Sequence, residues 1–286
     1  MRSTLVTGST GNVGSAVVRE LVDRNLPVRA FAREARKAAD RLGDGVEVAL
    51  GDFEDAESIR AALRGCDQLF LTSSNGEREV DHERAVIDAA AAAGVERIVK
   101  LSTIGAQAGS ALPGSDWHGR IEHHLRESGM PAVVLQSNFM MSNFLAFAPQ
   151  IAAGQLPAPA GSGRTSMIDP DDVGAAAAAI LASDGHEGRT YQLTGGEAIT
   201  FDDAVTALSS VLGTPLGYVD VPPTAAQHAF AEGGLPPWLV AQLDGVFALI
   251  RQGALASVNN TFAVLTGRQP RTFADWAREH AQLFKC

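Results

Sequence analysis

The feature that most constrains the fold of this chain is a regular alternation of short apolar segments with longer helical ones. The predicted strands of the first half are residues 3–7, 27–32, 46–50, 68–72, 97–102 and 132–137. The helices predicted between them are residues 13–24, 54–64, 79–93 and 116–127. Strands that are apolar along their length and separated by helices form parallel sheets covered on both faces. The sequence therefore predicts an α/β fold with a doubly wound parallel sheet.

A glycine-rich loop, TGSTGNVG, follows the first predicted strand and opens the first helix. In this context the first glycine permits a tight turn, the second lets the backbone approach a pyrophosphate, and the third allows close packing of helix on strand. Backbone amides at the positive end of the helix then hold the phosphates. We therefore expect a Rossmann sheet that binds a dinucleotide through Gly8, Thr10, Gly11, Asn12, Val13 and Gly14.

The charges that follow the second strand favour NADP(H) as the dinucleotide. An acid at the end of this strand accepts a hydrogen bond from the adenosine ribose, whereas a base pairs with a 2′-phosphate. Arg33 lies at this position, followed by Arg36 and Lys37, which the sequence equally allows as a solvated helix start. Arg33 is therefore the predicted contact of the 2′-phosphate.

Residues that follow the third and fourth strands are further candidates for cofactor contact, because ligands of open α/β sheets lie beyond the carboxyl ends of the strands. Asp52, next to Phe53, is predicted to contact the adenine or, alternatively, to cap the helix at 54–64. Thr72, Ser73 and Ser74 are expected on the nicotinamide side.

The regular alternation ends near residue 138. Beyond it the sequence contains the segments QLPAPAGSGR and VPPTAAQ, which we interpret as loops, and helices near 201–212 and 237–252. We expect residues 1–150 to form the NADP(H)-binding domain and residues 151–286 a smaller, mainly substrate-side α+β region. A strand near 190–195 is expected to return to the main sheet.

Composition excludes several classes of protein. The net charge of −10 opposes direct binding to nucleic acid, which requires a basic surface. Two cysteines, Cys66 and Cys286, supply neither a disulfide framework nor a cysteine-rich zinc site. No stretch approaches 18 apolar residues, and the first residues lack the long apolar core of a signal sequence, so neither a membrane span nor secretion is expected. A cytoplasmic protein without membrane partners is expected, and a homodimer is left open.

Several segments together resemble the NmrA-like branch of the atypical short-chain dehydrogenases. They are TGSTGNVG, VRAFAR, LSTIGA, SNFMMSNFL and LTGRQPRTFADWAREHAQLF, and the similarity extends over essentially the whole chain. The resemblance implies a Rossmann fold and NADP(H). Its members include quinone, azo-dye and phenylpropanoid-type reductases, redox-sensing regulators, and tailoring enzymes of aromatic polyketides. It therefore implies the fold and cofactor more firmly than the reaction.

A proton donor for a reduced carbonyl is not obvious, since no Tyr-x-x-x-Lys pair follows the fifth strand. His118 and Glu122 lie four residues apart on one predicted helix, so the carboxylate is expected to orient the imidazole or raise its pKa. The alternative is that His118 lies at the exposed N-terminus of the helix with Glu122 as a solvated neighbour, and that neither takes part in catalysis. Ser102 and Thr103 are expected either to orient a substrate oxygen or to bond local backbone. The resemblance adds that quinone-reductase members have a histidine near the position of His118. A metal site is not expected.

The segment after the sixth strand supplies candidate substrate contacts. Its apolar side chains are expected to line an adaptable substrate pocket, in which the amide side chains orient a polar atom of the substrate. Alternatively, the segment is the start of a helix in the hydrophobic core. The residues are Asn138, Phe139, Met140, Met141, Asn143 and Phe144, with Trp117 as a further flat surface. We expect an NADPH-dependent reductase of a small, hydrophobic, planar carbonyl or quinone. The alternatives are a non-catalytic NADP(H) sensor and an aromatic-polyketide tailoring monooxygenase.

Overall fold

The computed structural model describes residues 2–285 and divides the chain into two units. The strands are β1 Thr4–Val6, β2 Val28–Ala32, β3 Glu47–Leu50, β4 Gln68–Leu71, β5 Arg97–Thr103, β6 Ala132–Ser137, β7 Gln155–Ala158, β8 Thr190–Leu193 and β9 Gly217–Asp220. The helices are α1 Asn12–Asp23, α2 Ala35–Leu42, α3 Ala56–Leu63, α4 Glu79–Ala93, α5 Pro113–Glu127, α6 Ala148–Ala152, α7 Pro170–Leu181, α8 Phe201–Leu212, α9 Pro223–Glu232, α10 Pro237–Arg251, α11 Thr261–Thr266 and α12 Phe273–Glu279. Short 3-10 helices cover Met141–Phe147 and Ala281–Phe284.

A seven-stranded sheet organises the first unit, in the order β3-β2-β1-β4-β5-β6-β8. The pairings from β3 to β6 are parallel. All four residues of β4 are buried, and so are six of the seven in β5, as helices covering both faces require. The predicted α/β fold is thereby confirmed. The order reverses next to β1, so the carboxyl ends of β1, β4 and β5 meet at one edge of the sheet.

Close helix packing explains why α7 belongs to the first unit. A Cβ added at Gly174 of α7 would lie 2.4 Å from the Cβ of Ala16 in α1, so the glycine lets the two helices touch. The first unit runs to Ser137 and resumes over Pro170–Gln192. The expected boundary at residue 150 therefore lies within the second unit, and the strand expected near 190–195 is β8, beside β6.

The second unit contains Asn138–Asp169 and the described residues from Leu193 onward. Its two strands, β7 and β9, pair in parallel, with Gln155 opposite Gly217. The segment QLPA was interpreted as a loop and is a strand, while the end of VPPTAAQ belongs to α9. Aromatic rings fill the core, as shown by the centroids of Phe144 and Phe273, which are 4.8 Å apart. Within residues 2–285, no helix combines the length and apolar character that crossing a bilayer requires.

Candidate active site

The glycine loop is a tight turn closed against the end of β4. Gly8 has a φ of +57°, and a Cβ there would lie 2.7 Å from Cγ2 of Thr72. A Cβ at Gly14 would lie 2.2 Å from the carbonyl oxygen of Gly8, and one at Gly11 would lie 3.2 Å from the same atom. α1 begins after Gly11, which has no side chain to cover the first amides of the helix. The loop therefore fits the phosphates of a dinucleotide.

Hydrogen bonds connect the loop with the residues expected on the nicotinamide side. Thr7 donates its hydroxyl to the carbonyl of Thr72 at 2.7 Å and accepts the amide of Thr72 at 3.0 Å. Ser73 is partly buried and donates to Oε1 of Glu83 at 3.1 Å, whereas Ser74 is exposed. The loops after β1 and β4 are thus held together at the carboxyl edge of the sheet.

A basic groove of about 370 Å³ adjoins the glycine loop. It is lined by Thr10, Glu34, Arg36, Lys37, Asp40 and Arg41. Arg41, which the sequence reasoning missed, donates from Nε to Oγ of Ser15 at 3.2 Å. The signal for it was the helical spacing of four residues from Lys37. Arg33 is exposed and lies outside the lining of this groove, so its contact with a 2′-phosphate stays a prediction.

The turn after β3 differs in detail from the expectation. Oδ1 of Asp52 accepts the amide of Glu54 at 2.9 Å, whereas the N-cap of α3 is Asp55, which accepts the amide of Glu57. The alternative role of Asp52 as the helix cap is therefore wrong. Phe53 stacks on His82, with the ring centroids 5.6 Å apart, and its contact with adenine stays a prediction.

Four ionisable side chains from α4, β5 and α5 form a buried cluster in the first unit. Nζ of Lys100 lies 2.7 Å from Oε2 of Glu83, and both side chains are fully buried. Nδ1 of His118 lies 3.3 Å from Nζ of Lys100 and 3.4 Å from Oε1 of Glu79. Since Ser73 donates to Glu83, the buried cluster extends to the carboxyl edge of the sheet. Sequence reasoning missed all but His118 of these four.

Burial sets the protonation of the buried cluster. The pKa of Glu79 is raised to about 7, mainly by desolvation and to a smaller extent by the charge of Glu83, while the charge of Lys100 opposes the shift. Desolvation, followed by the charge of Lys100, lowers the pKa of His118 well below its usual range. His118 is therefore a neutral imidazole at neutral pH.

The expected pairing of His118 with Glu122 is wrong. Glu122 accepts the hydroxyl of Ser102 at 2.6 Å and the amide of Gln136 at 3.0 Å, and its other oxygen lies 3.7 Å from Arg126. The spacing of four residues does place both side chains on one side of α5, but β5 and β6 supply the partners of Glu122. The partner carboxylate of His118 is that of Glu79, and the pKa of His118 is lowered rather than raised.

The expected substrate wall after β6 is largely structural. Asn138 is buried, and its amide donates to Oγ of Ser166 and to the carbonyl of Leu255. Met141 and Phe144 are enclosed in the core of the second unit, so they match the core alternative. The remaining expected contacts are exposed or partly buried, and their role stays a prediction: Thr103, Trp117, Phe139, Met140 and Asn143.

Residues 2–285 contain no group of three histidine, cysteine or carboxylate side chains placed to hold an ion. Cys66 is a buried free thiol whose pKa is raised by desolvation, and Cys286 lies outside the described residues.

The doubly wound sheet and the glycine turn define a dinucleotide-binding protein of the Rossmann class. The model of the NmrA-like family matches residues 2–266, and the chain belongs to that family. An NAD(P)H azoreductase of Xenophilus azovorans is 36% identical over 98% of both chains. A (4-alkanoyl-5-oxo-2,5-dihydrofuran-3-yl)methyl phosphate reductase of Streptomyces griseus is 42% identical over 98% of both.

Solved structures agree with this assignment. The NADPH complex of an NADPH-dependent quinone oxidoreductase of Escherichia coli superposes with a TM-score of 0.87 at 30% identity, covering 99% of this chain and 100% of that one. The predictions of an NmrA-like NAD(P)H-dependent oxidoreductase and of NADP(H) as its cofactor are thereby confirmed.

Proposed function

We propose that this protein uses NADPH to reduce a small, planar, hydrophobic acceptor of the quinone or azo type, with His118 at the reacting centre. The observation that carries the proposal is the buried cluster of Glu79, Glu83, Lys100 and His118, which extends through Ser73 to the carboxyl edge of the sheet. Ligands of such sheets bind at this edge, beside the glycine loop. The azoreductase and quinone oxidoreductase relatives support the acceptor class.

The residues of the chain have distinct tasks in this proposal. The turn of Gly8, Gly11 and Gly14 holds the pyrophosphate on backbone amides. NADPH, when bound, supplies a hydride from its dihydronicotinamide ring. His118 holds a proton near the acceptor, and its side chain is only 15% exposed, so most of the imidazole is shielded from water.

The test is acceptor-dependent consumption of NADPH by the purified protein. A benzoquinone and an aromatic azo dye should accelerate NADPH oxidation, and NADH should serve less well at limiting concentration. Gly14→Ala is the matched control, because it should remove both binding and turnover. Tight NADPH binding without any acceptor-dependent oxidation would refute the reductase and favour the sensor, and oxygen incorporated into product would favour the monooxygenase.

A further inference from the structure

Lys100 fixes the proton of His118 on one ring nitrogen. An ammonium group has three donors and no acceptor. Nζ of Lys100 donates to the carbonyl of Leu101, lies 3.3 Å from Nδ1 of His118 and forms an ion pair with Oε2 of Glu83. Nδ1 must therefore be the accepting nitrogen, and the proton of the neutral ring lies on Nε2.

A neutral imidazole is a poor acid unless it gains one proton as it loses another. If Nε2 gave up its proton alone, the ring would become an anion inside a largely buried cluster. The ring stays neutral only if Nδ1 takes up a proton in the same step. The donor for Nδ1 must be a neighbouring group whose contact can shorten to hydrogen-bond distance once cofactor and acceptor are bound.

Two groups are close enough to Nδ1, and their surroundings distinguish them. Lys100 is in a fully buried ion pair with Glu83, so losing its proton would leave a buried carboxylate without its cation. Oε1 of Glu79 lies 3.4 Å from Nδ1. Desolvation and the charge of Glu83 favour the protonated form of Glu79, so this carboxyl has a proton to give. The charged and titratable groups that face Glu79 are Lys100, Glu83 and His118. The carboxyl of Glu79 is therefore the better donor.

We propose that Glu79 is an internal proton reservoir for His118, and this inference rests on the proposed reductase function. As the acceptor takes up the hydride with its electron pair, it also takes the proton of Nε2. The N–H of Lys100 turns away from Nδ1, and the lone pair that this frees takes the proton of Oε1 of Glu79. The N–H bond at Nε2 and the O–H bond of Glu79 break, while the N–H bond at Nδ1 and a bond from the acceptor to the proton of Nε2 form. The other new bond of the acceptor is the one to the hydride. His118 stays neutral and Glu79 becomes a carboxylate. Water then returns a proton to Nε2, and Nδ1 returns its proton to Glu79.

The first test needs no turnover. In the protein without cofactor, nitrogen NMR of labelled histidine should show His118 protonated on Nε2 and unprotonated on Nδ1 at neutral pH. Infrared spectra should show a buried carboxylic acid that ionises near pH 7 and is absent in Glu79→Gln. Asp88→Asn is the matched control, since Asp88 pairs with His124 between the same two helices at the exposed surface, 2.7 Å apart. It should leave the acid band in place. A proton on Nδ1, or a Glu79 that is already ionised at about pH 5, would overturn the proposal.

The second test separates the reservoir from the reductase function. Glu79→Gln should lower kcat with an azo acceptor by roughly 10²-fold, at the low end of the range for a positioned proton donor, while the Kd for NADPH stays unchanged. With a quinone acceptor the decrease in kcat should be smaller, because the anion of the reduced quinone is itself stabilised. In the wild-type protein kcat with the azo acceptor should fall as pH rises above about 7, and Glu79→Gln should lose this dependence.

The outcomes of the second test are distinguishable. Wild-type turnover that is lost in His118→Ala but unchanged in Glu79→Gln, with the same pH profile, would overturn the reservoir and leave the reductase intact. A wild-type protein without turnover on any acceptor would remove both proposals. Asp88→Asn should keep the wild-type rate and pH profile.

Discussion

The raised pKa of Glu79 makes a prediction about stability that does not depend on any substrate. Its side chain is 2% exposed, and its pKa rises from 4.5 to about 7 on folding. The native state therefore binds the proton more tightly than the unfolded state does. The stability that this proton contributes is fully present below about pH 4.5 and is lost as pH rises through about 7.

The size of this contribution follows from the pKa difference. One pKa unit corresponds to about 1.4 kcal/mol, so a rise from 4.5 to about 7 corresponds to about 3 kcal/mol of unfolding free energy. Glu79→Gln replaces the protonated carboxyl with a neutral group of the same shape. The variant should match the wild-type protein below about pH 4.5 and exceed its stability by about 3 kcal/mol near about pH 8.

Urea unfolding followed by circular dichroism at several pH values measures this difference. The remaining titratable groups are present in both proteins, so to first order they cancel when one curve is subtracted from the other. Asp88→Asn serves as the control, because Asp88 is exposed. A difference between Glu79→Gln and wild type that stays constant from about pH 5 to pH 8 would show that Glu79 is not desolvated as the geometry requires.

Three further predictions concern other parts of the first unit. Gly14→Ala should abolish NADPH binding in a fluorescence titration, because its Cβ would lie 2.2 Å from the oxygen of Gly8, and wild-type affinity would contradict the tight turn. Arg33→Ala should weaken NADPH binding by about 1.5 to 3 kcal/mol without changing NADH binding, and equal losses would argue against a phosphate contact. Lys100→Met should lower the unfolding free energy by about 3 to 5 kcal/mol in urea, because it leaves Glu83 buried and unpaired, whereas adding Glu83→Gln should recover much of the loss.

Local sequence patterns predict the main sheet well, because its strands are short, apolar and bounded by glycine. The strand predicted at 132–137 is β6 with the same bounds, and the one predicted at 97–102 is one residue shorter than β5. β7 was missed because Pro157 and the surrounding small residues are typical of a loop. It is a strand because it pairs with β9, some 60 residues later, and no local pattern reveals such a pairing.

The site was less predictable because tertiary contacts determine which side chains meet. Helical spacing indicated Glu122 as the partner of His118, yet α4 supplies the nearer carboxylate and the strands take Glu122. One signal was visible in the sequence: Lys100 interrupts the apolar run RIVKLST, and a buried lysine needs an anionic partner. Glu79 and Glu83, four residues apart on a helix that covers the sheet, are such partners.

Under the proposed mechanism, the position of Lys100 also explains why His118 requires a second proton donor. A cation next to an acid favours the form with less positive charge. Next to a phenol, this makes the hydroxyl a stronger acid at neutral pH. Next to His118 the same cation prevents the imidazolium from forming, so the ring has no surplus proton to give. In the proposed mechanism a third group must therefore return a proton to the ring, and Glu79 is the neighbouring carboxyl whose pKa burial raises to about 7.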